Sequence, residues 1–334
     1  MNDGRESGMY VQLGRSATRV SRLWLGTVNF SGRVPDGEAL RVMDAAFDRG
    51  INCVDTADIY GWRLYKGHTE ELVGQWLARG PRRDDVVVAT KVGEAMGDGP
   101  NDRGLSARRI IASCEASLRR LGTEHIDLYQ MHRMDRFAPW EEVWQAMDQL
   151  VASGKVRYVG SSNFAGWHLA GAQESAARRG SLGLVTEQCL YNLAVRHAEL
   201  EIIPAARAYG VGVFPWSPLH GGMLSGALQK LAEGTAVKSA QGRSQQMLTR
   251  LGTPVEQYER LCERLGLSPA EAALSWLLSR PGVSGTVIGP RNTAQLDSAL
   301  RAMEMDLGEE VREQMQALFP PVGTGGEAPE AWQS

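Results

Sequence analysis

Two kinds of apolar pattern alternate along the chain. Short runs rich in β-branched residues recur at Leu23-Trp24-Leu25, Asn52-Cys53-Val54, Val86 to Ala89, Ile126 to Tyr129, Val156 to Val159, Val185 to Gln188, Val211 to Phe214 and Thr286 to Ile288. They predict eight strands. Their starts lie 29, 34, 40, 30, 29, 26 and 75 residues apart, so each of the first six gaps suits one βα unit and the last must hold an insertion. Helical spacing fills Asp36–Asp48, Thr69–Ala78, Ser106–Arg120, Trp140–Ala152 and Trp167–Arg179, with a stop glycine shortly after each: Gly50, Gly80, Gly122, Gly154 and Gly180. No strand-to-helix turn holds a GxGxxG or GxxxxGK[ST] phosphate loop, which argues against a doubly wound sheet. Eight units favour an α/β fold of the (β/α)8 TIM-barrel type. Tyr10 to Leu13 and Arg19 to Ser21 flank Gly14-Arg15-Ser16 and read as an N-terminal β-hairpin over the barrel bottom. Residues 1–334 then form a single domain, with 1–9 and 320–334 expected as irregular tails.

Composition narrows the function. With 43% hydrophobic residues and 22% charged, the chain can bury a sizeable core. Lys plus Arg number 36 against 39 Asp plus Glu, a net charge of −3, which lacks the basic excess that nucleic acid requires. No apolar stretch approaches membrane-spanning length, and Met1 to Gly8 is polar, so a cytoplasmic location away from membranes is expected. Cys53, Cys114, Cys189 and Cys262 lie far apart and read as buried apolar residues. There is no HExxH, EF-hand spacing or GxSxG elbow, so neither a metal nor a serine hydrolase is expected. The oligomeric state stays open.

In a barrel the chemistry sits at the C-terminal ends of strands. There the sequence offers Asp55 with Tyr60 five residues on, then Thr90-Lys91, then Gln130-Met131-His132. A lysine ammonium within about 4–6 Å stabilises phenolate and lowers a tyrosine from near 10 by roughly 1–3 units. Tyr60 would thus be a general acid, Lys91 its activator, Asp55 the anchor of Lys91, and His132 a hydrogen-bond donor to a carbonyl oxygen. None of these groups can deliver hydride, so reduction requires a cofactor, most simply a nicotinamide.

Several spaced runs extend this reading: Val54-Asp55-Thr56-Ala57-Asp58-Ile59-Tyr60, Ala89-Thr90-Lys91-Val92-Gly93, Asp127 to His132, Gly160-Ser161-Ser162-Asn163-Phe164, Trp216-Ser217-Pro218-Leu219 and Gly289-Pro290-Arg291. With them the chain resembles the aldo-keto reductases over about residues 10 to 320. The resemblance implies a barrel binding extended NADPH, with Asp55, Tyr60, Lys91 and His132 as catalytic residues. It further implies that Ser162, Asn163 and Gln188 hold the carboxamide and that Trp216 stacks on the nicotinamide. Thr27, Ser217, Leu219 and Gly289 would contact ribose and phosphates, and Arg291 and Gln295 the 2′-phosphate. Ser298-Ala299 stands where the family commonly has Glu-Asn for the adenine amino group.

Within the family, Leu25 to Arg33, Tyr60 to His68 and Ser217 to Leu224 are similar to the NDP-hexose 2,3-enoyl reductases or 3-ketoreductases of macrolide deoxysugar (mycarose-type) pathways. That implies reduction of a TDP-bound 4-keto-2,6-dideoxyhexose at carbon 3, in antibiotic biosynthesis. A diphosphate needs cations at the mouth, and Arg63, Lys66, Arg133 and Arg136 follow strands two and four, while Trp62 could line a sugar pocket or simply pack. Such basic residues are more often simply solvated. The alternatives are a general aldehyde or ketone reductase and, from another class, a cofactor-sensing subunit like the potassium-channel β subunits, which also resemble this family. His68 reads as a solvated helix start, and Trp24 and Trp140 as packing residues.

Overall fold

The structure, a computed structural model, describes residues 6–234 and 242–323. A one-turn helix, α1 (Glu6–Met9), leads into the antiparallel hairpin β1 (Tyr10–Gln12) and β2 (Arg19–Ser21). Eight parallel strands follow: β3 (Leu23–Gly26), β4 (Cys53–Asp55), β5 (Val87–Val92), β6 (Ile126–Met131), β7 (Val156–Ser162), β8 (Leu184–Gln188), β9 (Gly212–Val213) and β10 (Thr286–Ile288). They pair in the order β10-β3-β4-β5-β6-β7-β8-β9. A bridge from Val213 to Val283, and a bond from Val287 N–H to the Pro215 carbonyl at 2.9 Å, bring the two ends of the sheet together. The molecule is the (β/α)8 barrel that the spacing predicts.

Helices α2 (Asp36–Asp48), α3 (His68–Leu77), α4 (Ala107–Leu121), α5 (Trp140–Ala152), α6 (Gly166–Arg178) and α7 (Ile202–Tyr209) connect successive strands. The sequence bounds of α2 and α5 hold to the residue, and those of α3, α4 and α6 shift by one. In α4 the Ser106 side chain accepts Arg109 N–H at the start and Gly122 turns left-handed at the end, while Ile110, Cys114, Leu118 and Leu121 line the buried face. The stop glycines behave alike except Gly80, which keeps a negative φ. The long last gap holds α8 (Ala227–Ala232), α9 (Gly242–Arg264) and α10 (Pro269–Leu278), and after β10 come α11 (Thr293–Glu304) and α12 (Gly308–Leu318).

The hairpin closes the bottom as expected. Leu13 and Val20 are fully buried with Trp24, Cys53, Ala89, Leu128, Val185 and Phe214, and Trp24 stacks on Phe214 at 4.0 Å. Gly14, at φ 56°, is pressed against the start of β8; a Cβ there would lie 1.9 Å from the Val185 carbonyl oxygen, so only glycine fits. The N-terminal tail needs one correction. Glu6–Met9 form α1 instead of irregular chain, because Arg22 N–H bonds the Met9 carbonyl and the Met9 side chain packs on the core. Residues 320–323 are irregular, and the remaining tail positions, 1–5 and 324–334, lie outside the described residues. All four cysteines are buried. No helix among the described residues is long and apolar enough to cross a membrane.

Candidate active site

Strand register builds the site. Asp55 ends β4, Lys91 and Gln130 pair near the ends of β5 and β6, and Ser162 pairs with Gln188 at the ends of β7 and β8. Side chains alternate along a strand, so these positions can turn inward at one rim while their neighbours face the helices.

Lys91 is 1% exposed, and its Nζ donates to both Asp55 oxygens at 2.7 and 2.6 Å and to the Thr56 carbonyl at 2.8 Å. Asp55 Oδ1 also accepts from Gln188 Nε2 at 2.7 Å and Gln130 Nε2 at 3.2 Å. Burying an ammonium is tolerable only with such compensation. Burial alone would lower the Lys91 pKa, but Asp55 and Tyr60 outweigh it and hold the amine charged. The ammonium stands 5.0 Å from the centre of the Tyr60 ring, and the His132 ring meets that phenol edge-on at 5.8 Å. The four residues expected to act together are thus brought together.

One electrostatic expectation is corrected. Burial pushes the Tyr60 phenol above its ordinary value, and Asp55 adds to that; Lys91 pulls the other way without reversing the direction. The phenol is therefore protonated at neutral pH, with a cation beside it to receive the charge left when the proton departs. His132 is driven well below 6.5 by burial, then by Lys91 and Arg133, so its imidazole is neutral.

The predicted nicotinamide residues converge. Trp216 Nε1 donates to Asn163 Oδ1 at 3.1 Å, and Asn163 Nδ2 donates to the His132 carbonyl and to Ser162 Oγ, both at 3.0 Å. Ser162 Oγ and Asn163 N–H bond the Gln188 carbonyl at 2.8 and 3.0 Å. Thr27 is buried and donates to the Asp55 carbonyl at 3.1 Å. The Ser217 carbonyl accepts from Asn192 at 3.1 Å, and Leu219 packs against the core.

At the far end, Asn29 Nδ2 donates to the Gly289 carbonyl at 2.6 Å. Gln295 Oε1 accepts Arg291 N–H at 2.9 Å, which leaves the Arg291 guanidinium out of that bond. Ser298 donates to Glu271 and Ala299 is buried, so neither offers the amide the family places there. Gly289 is exposed and carries no side chain, and Arg291 has no carboxylate partner among the described residues. An open backbone approach, an unneutralised guanidinium and an amide cluster beside an indole fit an extended dinucleotide.

The basic residues of the mouth divide. Trp62 meets Tyr60 edge-on at 6.0 Å and so borders the reacting centre, and Arg63 lies over the Trp62 ring at 5.0 Å. Arg136 is exposed and acts electrostatically on His168. Lys66 is tied to the Ala95 carbonyl at 2.8 Å and Arg133 is paired with Glu94, so these two have protein partners. His68 is corrected from solvated to buried, because the Tyr65 loop folds over it and its Nε2 contacts Asp36 at 3.2 Å.

Three residues of the site were given no role from the sequence. Gln130 was legible as an inward position two residues from His132. Arg33 lies near Arg63 and Arg291, and burial together with these two charges lowers its pKa; it stood inside the Leu25 to Arg33 run. Glu187 had no sequence signal beyond adjacency to Gln188.

Comparison with known proteins agrees with this geometry. The aldo/keto reductase family model matches residues 22–319. The chain is 47% identical to an uncharacterized oxidoreductase, YrpG, of Bacillus subtilis (strain 168), over 97% of this chain and 99% of the relative. It is 32% identical to a probable voltage-gated potassium channel subunit beta of Arabidopsis thaliana, over 89% and 91%. It is 31% identical to a versiconal hemiacetal acetate reductase of Aspergillus parasiticus, over 93% and 97%. With a family match along nearly the whole chain, the protein belongs to the aldo/keto reductase family and is a nicotinamide-dependent oxidoreductase acting on carbonyl groups.

Proposed function

We propose that the protein is an NADPH-dependent ketoreductase that reduces a TDP-bound 4-keto-2,6-dideoxyhexose at carbon 3, presented as a ketone or a 2,3-enone, in the cytoplasm. The observation that carries the reductase chemistry is the buried Lys91–Asp55 pair beneath the Tyr60 phenol, with a neutral imidazole beside it. When bound, the reduced nicotinamide supplies the hydride. Tyr60 gives its phenolic proton to the substrate oxygen, so the ketone gains one hydride and one proton and becomes an alcohol. Lys91 stabilises the phenolate that remains, and Asp55 keeps Lys91 charged and aimed. Neutral His132 donates a hydrogen bond to the oxygen and fixes its direction.

Ser162, Asn163 and Gln188 would hold the carboxamide, Trp216 would present its face to the ring, and Arg291, with Gln295 bracing its loop, would meet the 2′-phosphate. The preference for NADPH rests on that guanidinium. The sugar nucleotide rests on Arg63 and Arg136, which of the four basic residues following β4 and β6 are the two without a carboxylate or carbonyl partner among the described residues. None of the three relatives' names concerns a sugar nucleotide.

The deciding experiment presents the protein and NADPH with freshly generated TDP-3,4-diketo-2,6-dideoxyhexose and identifies the product by NMR. Arg63→Glu with Arg136→Glu should raise KM for the sugar nucleotide far more than for a neutral ketone. Equal effects would make it a general carbonyl reductase. Cofactor binding without turnover of either substrate would make it a sensing subunit.

A further inference from the structure

Glu187 is a buried carboxyl that the chemistry above does not use. It sits on β8 beside Gln188 and is fully buried, and no Lys, Arg or His pairs with it among the described residues. A buried carboxyl without a cation needs donors. It finds two in one place: Oε1 accepts Phe164 N–H at 3.1 Å and Oε2 accepts Ser161 Oγ–H at 2.5 Å, while Asn163 N–H, bonded to the Gln188 carbonyl, also favours its charged form. The donors bracket Ser162 and Asn163.

Asn163 adopts φ 61°, a left-handed conformation uncommon for residues with a side chain and one that asparagine accepts more readily than most. Glu187 takes the Phe164 N–H just after this residue and the Ser161 hydroxyl two positions before it, so one carboxyl ties both ends of the turn. The opposite face of the same residue carries the contacts to Trp216, His132 and Ser162.

We infer that Glu187 is a positioning residue of the cofactor pocket: its carboxylate holds the left-handed turn at Asn163, so the grip on a nicotinamide amide follows whether that carboxylate is charged. This rests on the reading of Ser162, Asn163 and Gln188 as the carboxamide holders. Burial raises the Glu187 pKa to about 7 against the opposing pull of Ser161, Phe164 and Asn163, so the charge changes near neutrality. The other titratable groups around the turn are displaced away from neutrality. The Cys189 thiol is pushed well up by burial and by Glu187. His168, packed edge-on against Phe164, is held below its usual value by burial and Arg136, and His132 lies well below.

The test is the pH dependence of cofactor affinity, read by fluorescence titration with NADH, which lacks the 2′-phosphate and its own titration. From pH 8 to pH 6 the wild-type Kd should rise about fivefold, the difference between a charged and a neutral acceptor for the turn. Glu187→Gln, which keeps an acceptor for Phe164, should be flat across that range. Ser161→Ala removes one donor and keeps the carboxyl, so it should move the midpoint to higher pH; it serves if the glutamine variant does not fold. Parallel curves for wild type and Glu187→Gln, or an unmoved midpoint in Ser161→Ala, overturn the inference and leave the reductase reading intact. Failure of the wild type to bind NADH or NADPH at any pH overturns that reading and the inference together.

Discussion

Replacing Lys91 by methionine tests the centre of the site, because methionine nearly matches the length of the side chain and removes only its charge and donors. Lys91 is 1% exposed and Asp55 is 2% exposed, and two of the bonds that Asp55 receives come from the ammonium. In the variant Asp55 retains Gln188 and Gln130 but no cation. Breaking one side of a buried pair costs about 3–5 kcal/mol. With an unfolding entropy of about 2.1 cal/mol/K per residue, a chain of 334 residues should lose about 6 °C in Tm for a 4 kcal/mol change. The double variant Asp55→Asn with Lys91→Met removes both charges and should recover more than half of that loss. Both variants should lose roughly 10²–10⁴ in kcat, since neither can stabilise the phenolate. Calorimetry and steady-state kinetics on the same preparations separate the two effects. A Lys91→Met melt within about 1 °C of wild type, or a double variant as unstable as the two singles summed, refutes the reasoning.

Other outcomes follow from the same geometry. Tyr60→Phe should keep NADPH binding within about twofold while kcat falls by roughly 10²–10⁴; equal activity would remove the phenol from the reaction. Arg291→Ala should weaken NADPH by roughly 10–100-fold in a fluorescence titration and leave NADH nearly unchanged, because only NADPH carries a 2′-phosphate. Glu187 titrates at about 7 in the fold against an ordinary 4.5, raised by burial, so the unfolded chain gives up this proton first and stability falls as pH rises between those values. Chemical denaturation of Glu187→Gln relative to wild type should therefore shift in favour of the variant by about 3 kcal/mol from pH 4.5 to pH 8; a constant difference would show that the group does not titrate there.

Much of the catalytic constellation was legible because its members end strands. Asp55, Lys91 and His132 follow apolar runs that burial makes conspicuous, and Tyr60 lies five residues past Asp55 in a loop held at the same rim. Gly122 and the polar start at Ser106 bounded α4 for the same reason: caps are local chemistry. The partners of Arg133 and Lys66, Glu94 and the Ala95 carbonyl, were not legible because they come from a different strand-to-helix loop. His68 was misread because Tyr65 and Asp36, which cover it, arrive from a loop and from another helix.

The order and spacing of apolar runs, by themselves, determined a barrel of eight βα units and the rim on which its chemistry must lie, since periodicity and chain length are local constraints that few topologies satisfy. Tertiary structure decided the charge state of each group. Whether Tyr60 rises or falls, whether His132 is neutral and whether Glu187 titrates near neutrality depend on how much water burial removes and which charges it brings near, and those neighbours come from segments far apart in the chain.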